Sequence, residues 1–121
     1  MIAPALLAEI YAHAREAFPR ECCGYIAGER VVRCTNVAAG DDEYEIGGAE
    51  LFAFARSFDS AEPARIVYHS HPNGRAYFSA RDRAAAGGYA VDYLVVGITA
   101  EAVTEAALFN ARGDELARML G

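Results

Sequence analysis

At 121 residues the chain has room for one hydrophobic core and not for two, so residues 1–121 are expected to form a single domain. Its 54% apolar and 23% charged residues describe an ordinary globular protein, and no apolar run approaches the roughly 18 residues of a membrane span. A net charge of −6 argues against nucleic acid as a partner, because binding there depends on Lys and Arg contacts to phosphate.

The first predicted element is an amphipathic helix over residues 3–17, where Leu6, Leu7, Ile10, Tyr11 and Ala14 recur at helical spacing and Pro19 lies beyond the end. Glu9 and the absence of a basic leader in Met1–Tyr11 argue against a secretory signal. Residues 22–28 read as a short apolar strand, followed across Gly28-Glu29-Arg30 by a second strand to Val37. Residues 40–43 form a polar loop. Leu51, Phe52 and Phe54 put a helix over 50–58, with Pro63 after it.

Residues 65–70 form a strand that runs into His69-Ser70-His71-Pro72, and Asn73-Gly74 signals a turn. A helix over 79–86 starts at Ser79 and stops at Gly87-Gly88. Strands follow at 93–98 and 103–110, and residues 114–119 form a helical turn or an edge strand. The cysteines, Cys22, Cys23 and Cys34, are odd in number and contain no Cys-x-x-Cys; they read as small buried hydrophobes with reduced thiols, which places the protein in a cytosol.

The chemistry gathers around the His-Ser-His-Pro stretch. Residues i and i+2 of a strand share a face, so His69 and His71 project together, and Pro72 keeps His71 extended. A loop through Asn73-Gly74 can return the start of the next helix, with Asp82, over the strand end. Two imidazoles and one carboxylate suit one zinc ion with a fourth position open for chemistry. His13, alone on the first helix, reads as a surface or satisfied core group. Ser79-x-x-Asp82 is also a helix-capping pattern, and either role leaves Ser79 beside the site. Glu21 is the candidate base, although its position alone equally suits a solvated carboxylate. Arg75, Arg81 and Arg83 form a local run of cations that serve either as a solvated face or as partners for a substrate carboxylate. Tyr77 and Phe78 line a substrate groove or pack in the core.

Pro19-Arg20-Glu21-Cys22-Cys23-Gly24-Tyr25, together with His69-Ser70-His71-Pro72 and Ser79-Ala80-Arg81-Asp82, resembles the JAMM (MPN-plus) zinc metalloproteases. Ten residues separate His71 from Asp82, as in that family. The resemblance implies a compact prokaryotic-type member with an α/β fold: a cytidine-deaminase-like, three-layer α/β/α arrangement around a curved mixed sheet. It implies one zinc per chain held by His69, His71 and Asp82, with Glu21 as general acid/base and Ser79 supporting the oxyanion. Arg75, Tyr77, Phe78 and Arg81 are the candidate substrate-binding residues. The implied activity is hydrolysis of the amide or isopeptide bond after the C-terminal glycine of a ubiquitin-like or sulfur-carrier protein with a Gly-Gly tail. Long insertions are lacking, so linkage-specific deubiquitination is not expected, and oligomeric state is left open. Two alternatives stand beside this one. One is a non-catalytic zinc-binding module, against which the intact ligand set speaks. The other is a deaminase-like hydrolase of small molecules, which calls for a Pro-Cys-x-x-Cys and a His-x-Glu that the chain lacks.

Overall fold

Pro4 opens helix α1, Pro4–Ala17, where a missing N–H costs nothing because the first-turn amides have no partner within the helix. The computed structural model describes residues 2–120. Leu6, Ile10 and Ala14 are buried along one side of α1, which packs on one face of the sheet. Hairpin β1 (Cys23–Ala27) and β2 (Arg30–Cys34) turns at Gly28, whose φ of +59° favours glycine. Helix α2 (Gly48–Ser57), strand β3 (Ala64–His71), helix α3 (Ala80–Ala85) and strands β4 (Asp92–Ile98), β5 (Val103–Phe109) and β6 (Glu115–Leu120) complete the order.

The strands form one mixed sheet in the order β2-β1-β3-β4-β5-β6. Every neighbouring pair is antiparallel except β3 and β4, which run parallel through a crossover that contains α3. The two faces carry separate clusters. Cys22, Ile26, Ile66, Tyr68 and Leu94 pack beneath α1, whereas Cys23, Tyr25, Val67 and Tyr93 pack with Phe54 of α2. Strand alternation therefore sends the adjacent Cys22 and Cys23 to opposite faces, and all three cysteines are buried free thiols.

Two element boundaries differ from the sequence expectation, and one open alternative is resolved. The second strand ends at Cys34 rather than Val37, because the Asn36 side chain organises the following loop instead of a ladder. Its amide donates to the carbonyls of Glu21 and Glu43, and its oxygen accepts from Ala38 and Glu45 N–H. Helix α2 starts two residues early, at Gly48. Residues 115–120 resolve as an edge strand on β5.

The parallel pairing sets His71 against Gly97. A Cβ on Gly97 would lie 2.6–2.7 Å from backbone atoms of Gly74 and Arg75, so glycine is required for the loop after His71 to lie flat on β4. Strands β5 and β6 pin that loop. Thr104 Oγ1 donates to the Gly74 carbonyl, Glu105 accepts from Ala76 N–H at 2.8 Å, and Arg118 donates to the Ala76 carbonyl at 2.9 Å. Gly97→Ala is expected to push the loop off β4 at a cost of about 1–3 kcal/mol. A thermal melt should show a Tm lower by several degrees, and an unchanged melt would contradict the packing described here.

Candidate metal centre and cleft

His69 and His71 extend the row begun by Val67 on the α2 face of β3, while Tyr68 and Ser70 point to the α1 face. Antiparallel pairing with β1 sets Cys23 opposite His69, and two residues further along that register Glu21 faces His71. Ser70 fastens this junction from both sides. Its N–H donates to the Cys22 carbonyl at 3.2 Å, and its Oγ accepts from Cys22 N–H at 2.8 Å. Glu21 is consequently buried beside the histidines, at 4% exposure, although it precedes the strand.

Asp82 comes from the first turn of α3. Ser79 Oγ accepts from Asp82 N–H and Asp82 Oδ2 accepts from Ser79 N–H, each at 2.9 Å, which forms a capping box. The same carboxylate also faces both imidazoles: Oδ1 lies 3.0 Å from His69 Nε2 and Oδ2 lies 3.3 Å from His71 Nε2. The two Nε2 atoms are 3.2 Å apart. Capping and contact with the histidines thus coexist in one side chain.

These separations suit a shared cation. Tetrahedral bonds of about 2.0–2.1 Å place neighbouring ligand atoms roughly 3.3 Å apart. His71 Nδ1 lies 3.1 Å from the Arg75 carbonyl, which can only accept; Nδ1 then carries the proton and the Nε2 lone pair turns toward Asp82 and His69. The His69 ring is stacked on one side by Tyr44, with centroids 4.5 Å apart and planes at 20°. Its Nδ1 is buried without a hydrogen-bond partner. Glu21 with His69 and His71 also forms a metal-capable group, its ligand atoms all within 4.8 Å of one another.

Without a metal, protons hold this corner together. Burial would lift the Asp82 carboxyl, but hydrogen bonds from His69 and His71 outweigh it and keep Asp82 well below the usual carboxylate range. Burial drives His69 below its ordinary value despite Asp82. For His71 burial acts in the same direction, yet the hydrogen bond and charge of Asp82 prevail and raise it. Glu21 is pushed up to about 7, chiefly by burial, with His71 opposing and Asp82 reinforcing. A carboxyl poised near neutrality can take and return a proton at physiological pH.

The ligand corner opens into a cleft of about 310 Å³, lined by Glu21, His71, Tyr44, Tyr77, Ser79, Arg81 and Asp82 among others. Tyr77 tilts against His71 with ring centroids 4.7 Å apart. The sequence candidates Glu21, Ser79, Tyr77 and Arg81 therefore converge on one opening. Phe78 and Arg75 do not line it. Phe78 stacks on Phe109 and tilts against Tyr93, because it faces the sheet; Arg75 contributes its backbone, donating N–H to Asn73 and accepting from His71. The arginines also fail to cluster: Arg81 pairs with Glu43 at 3.3 Å, and Arg83 lies over Phe78 and donates to the Arg112 carbonyl.

Three residues of the site carried no functional assignment in the sequence reading. Ser70 has a detectable signal, since a polar residue between two same-face histidines must point to the opposite, buried face and needs a partner there. Asn36 and Tyr44 have none. Their importance comes from a loop that folds back across the β1–β3 junction.

A family model described as prokaryotic homologs of the JAB domain matches residues 3–110. The chain belongs to the JAB, or JAMM/MPN, family. It is 33% identical over 85 residues to the CysO-cysteine peptidase of Mycobacterium tuberculosis, an alignment covering 64% of this chain and 58% of that protein. The chain thus matches a little over half the length of that relative. Its structure resembles a protein from Desulfitobacterium hafniense, with TM-score 0.73 and 26% identity over 94% of this chain and 87% of that one. A JAB1/MPN domain protein from Archaeoglobus fulgidus shares the fold, with TM-score 0.60 and 15% identity over 93% and 90% of the two chains.

Two measurements check this site. Calorimetric titration should find one divalent ion bound per chain with release of protons, and Asp82→Asn should weaken it by at least about tenfold; undiminished affinity would remove Asp82 from the site. The second concerns metal-free protein. Glu21 has a folded pKa of about 7, above its ordinary 4.5, so the folded state holds the extra proton and stability declines as pH rises between those values. Glu21→Gln lacks that decline, and its stability relative to wild type should grow by on the order of 2 kcal/mol from pH 4.5 to 8. A pH-independent difference in chemical denaturation would contradict the assigned environment.

Proposed function

We propose that this chain is a zinc-dependent peptidase that hydrolyses the amide or isopeptide bond after the C-terminal glycine of a ubiquitin-like or sulfur-carrier protein. One observation carries the reading: a buried carboxyl, Glu21, pushed up to about 7 beside two imidazoles and a carboxylate, at a corner where Glu21, His71 and Asp82 line one cleft. Two nitrogens and one oxygen leaving a coordination position vacant is a donor set that favours zinc in a catalytic rather than a structural role. His69, His71 and Asp82 would hold the ion, which when bound acts as a Lewis acid toward water and the scissile carbonyl.

The chain's own groups divide the remaining work. Glu21 takes the proton of the attacking water and returns it to the leaving nitrogen, a cycle that suits a pKa of about 7. Ser79 keeps its Oγ as acceptor for Asp82 N–H, so its hydroxyl proton can be directed at the developing oxyanion. Tyr44 and Tyr77 stand on the His69 and His71 rings and narrow the cleft. Glycine, which has no side chain, suits a backbone that must pass between aromatic walls close to the reacting centre. The 33%-identical relative is named for cleaving a CysO-cysteine conjugate, which supports a small carrier protein as substrate. We place the activity in the cytosol, where three buried thiols remain reduced, and within one catalytic domain.

The test uses zinc-loaded protein and carrier proteins ending in Gly-Gly, extended by one residue and followed by mass spectrometry. Glu21→Gln should retain zinc and lose about 10²–10⁴-fold in kcat. Ser79→Ala should retain zinc and lose roughly 10²-fold. Cleavage by Glu21→Gln at the wild-type rate would refute the mechanism.

A further inference from the structure

The cleft is electrostatically lopsided. Its lining contains the carboxylates of Glu21, Asp42, Glu43 and Asp82, and Arg81 is its one guanidinium or ammonium group among the described residues. Arg81 sits in the first turn of α3, between Ser79 and Asp82, and that turn is fixed by the capping box. Its guanidinium is paired with Glu43 at 3.3 Å across the mouth of the cleft. The Glu43 backbone is fixed as well, through the Asn36 amide on its carbonyl. The pair joins two rigid walls, yet the Arg81 and Glu43 side chains remain 63% and 30% exposed. Exposed pairs of this kind contribute little and change partners readily.

A substrate must meet this pattern of charge. In an isopeptide the leaving nitrogen belongs to a lysine side chain and has no anion nearby. In a C-terminal extension of one residue, the leaving nitrogen carries a free α-carboxylate about 2.5 Å away through one Cα. Such a carboxylate is repelled by Asp42 and Glu43 at the rim and meets one guanidinium there, that of Arg81. Arg81 offers it a planar, two-pronged donor at the rim of the reacting corner.

Resting on the peptidase reading above, we infer that the preferred substrate is a glycine-terminated carrier extended by a single amino acid, and that Arg81 selects it by exchanging Glu43 for the free α-carboxylate of the leaving residue. Water adds across the glycyl amide, the C–N bond breaks, the carrier regains its glycine carboxylate, and the amino acid departs with the proton that Glu21 returns. Arg81 fixes the leaving residue and Glu43 competes with it, so the ion pair acts as a filter against leaving groups without an anion.

The experiment compares two peptides ending in Gly-Gly-Ala, one with a free terminal carboxylate and one with a carboxamide, at millimolar concentration with zinc-loaded protein. Wild type should cleave the acid with kcat/KM about tenfold higher, mainly through KM. Arg81→Gln should reduce the acid-to-amide ratio to about one, and Arg81→Lys should restore only part of it because a point charge lacks the guanidinium fork. Glu43→Gln should lower KM for the acid, since the competing anion is gone. Equal kcat/KM for acid and amide in wild type, or an unaltered ratio in Arg81→Gln, would overturn the role of Arg81 while leaving the peptidase reading standing. Cleavage of neither peptide by zinc-loaded wild type would overturn both.

Discussion

Asp82 faces both imidazoles and accepts from the Ser79 backbone, and this crowding of one carboxylate and two imidazoles in a buried corner is the constraint that the surrounding fold satisfies. Donor atoms 3.0–3.3 Å apart are stable only with positive charge among them, whether protons or a metal ion. Burial raises the cost of that charge and at the same time strengthens every interaction that holds it. The net result differs for each group: Asp82 is held ionised, His69 is biased toward neutrality, and Glu21 is left near pH 7.

Five strands of the sheet and two loops keep the groups in place. Ser70 ties the approach to β1 onto β3, so the carboxyl preceding that strand ends opposite the second histidine. Gly97 allows the loop after His71 to rest on β4, and Thr104, Glu105 and Arg118 pin it from the far edge of the sheet. That pinning sets the Arg75 carbonyl against His71 Nδ1 and thereby selects the tautomer whose Nε2 can ligate. On the other side, the Asn36 side chain gathers four backbone groups and folds the 36–46 loop over His69. The buried reactive corner is thus a product of sheet packing, whereas the rim, with Arg81 and Glu43, stays in water and is free to exchange partners.

Much of this was legible in the residues. Helical spacing in α1, the Ser79 cap, the Gly87-Gly88 stop and the alternation that faces His69 and His71 together all follow from local rules of geometry. The ten-residue interval to Asp82 and the segment around Glu21 carried the family resemblance, and the match over residues 3–110 bears that membership out. Less was legible where one feature suits two environments. Phe78 and Tyr77 are adjacent aromatics, and only packing sends Phe78 into the stack with Phe109 and leaves Tyr77 at the cleft. Arg75, Arg81 and Arg83 look like one basic run, but a turn and a short helix direct them to different neighbours.

The sequence by itself determined the donor set, the order of elements and the family, because each depends on residue types at short, fixed separations. Tertiary structure alone decided that Glu21 is buried opposite His71, that Asp82 caps α3 and faces the imidazoles at once, and that among the described residues Arg81 is the one guanidinium lining an acidic cleft. The reason is physical: strand register, loop closure and burial act here between residues 11 to 50 positions apart, and burial sets the charge state of groups whose identity was already written in the chain.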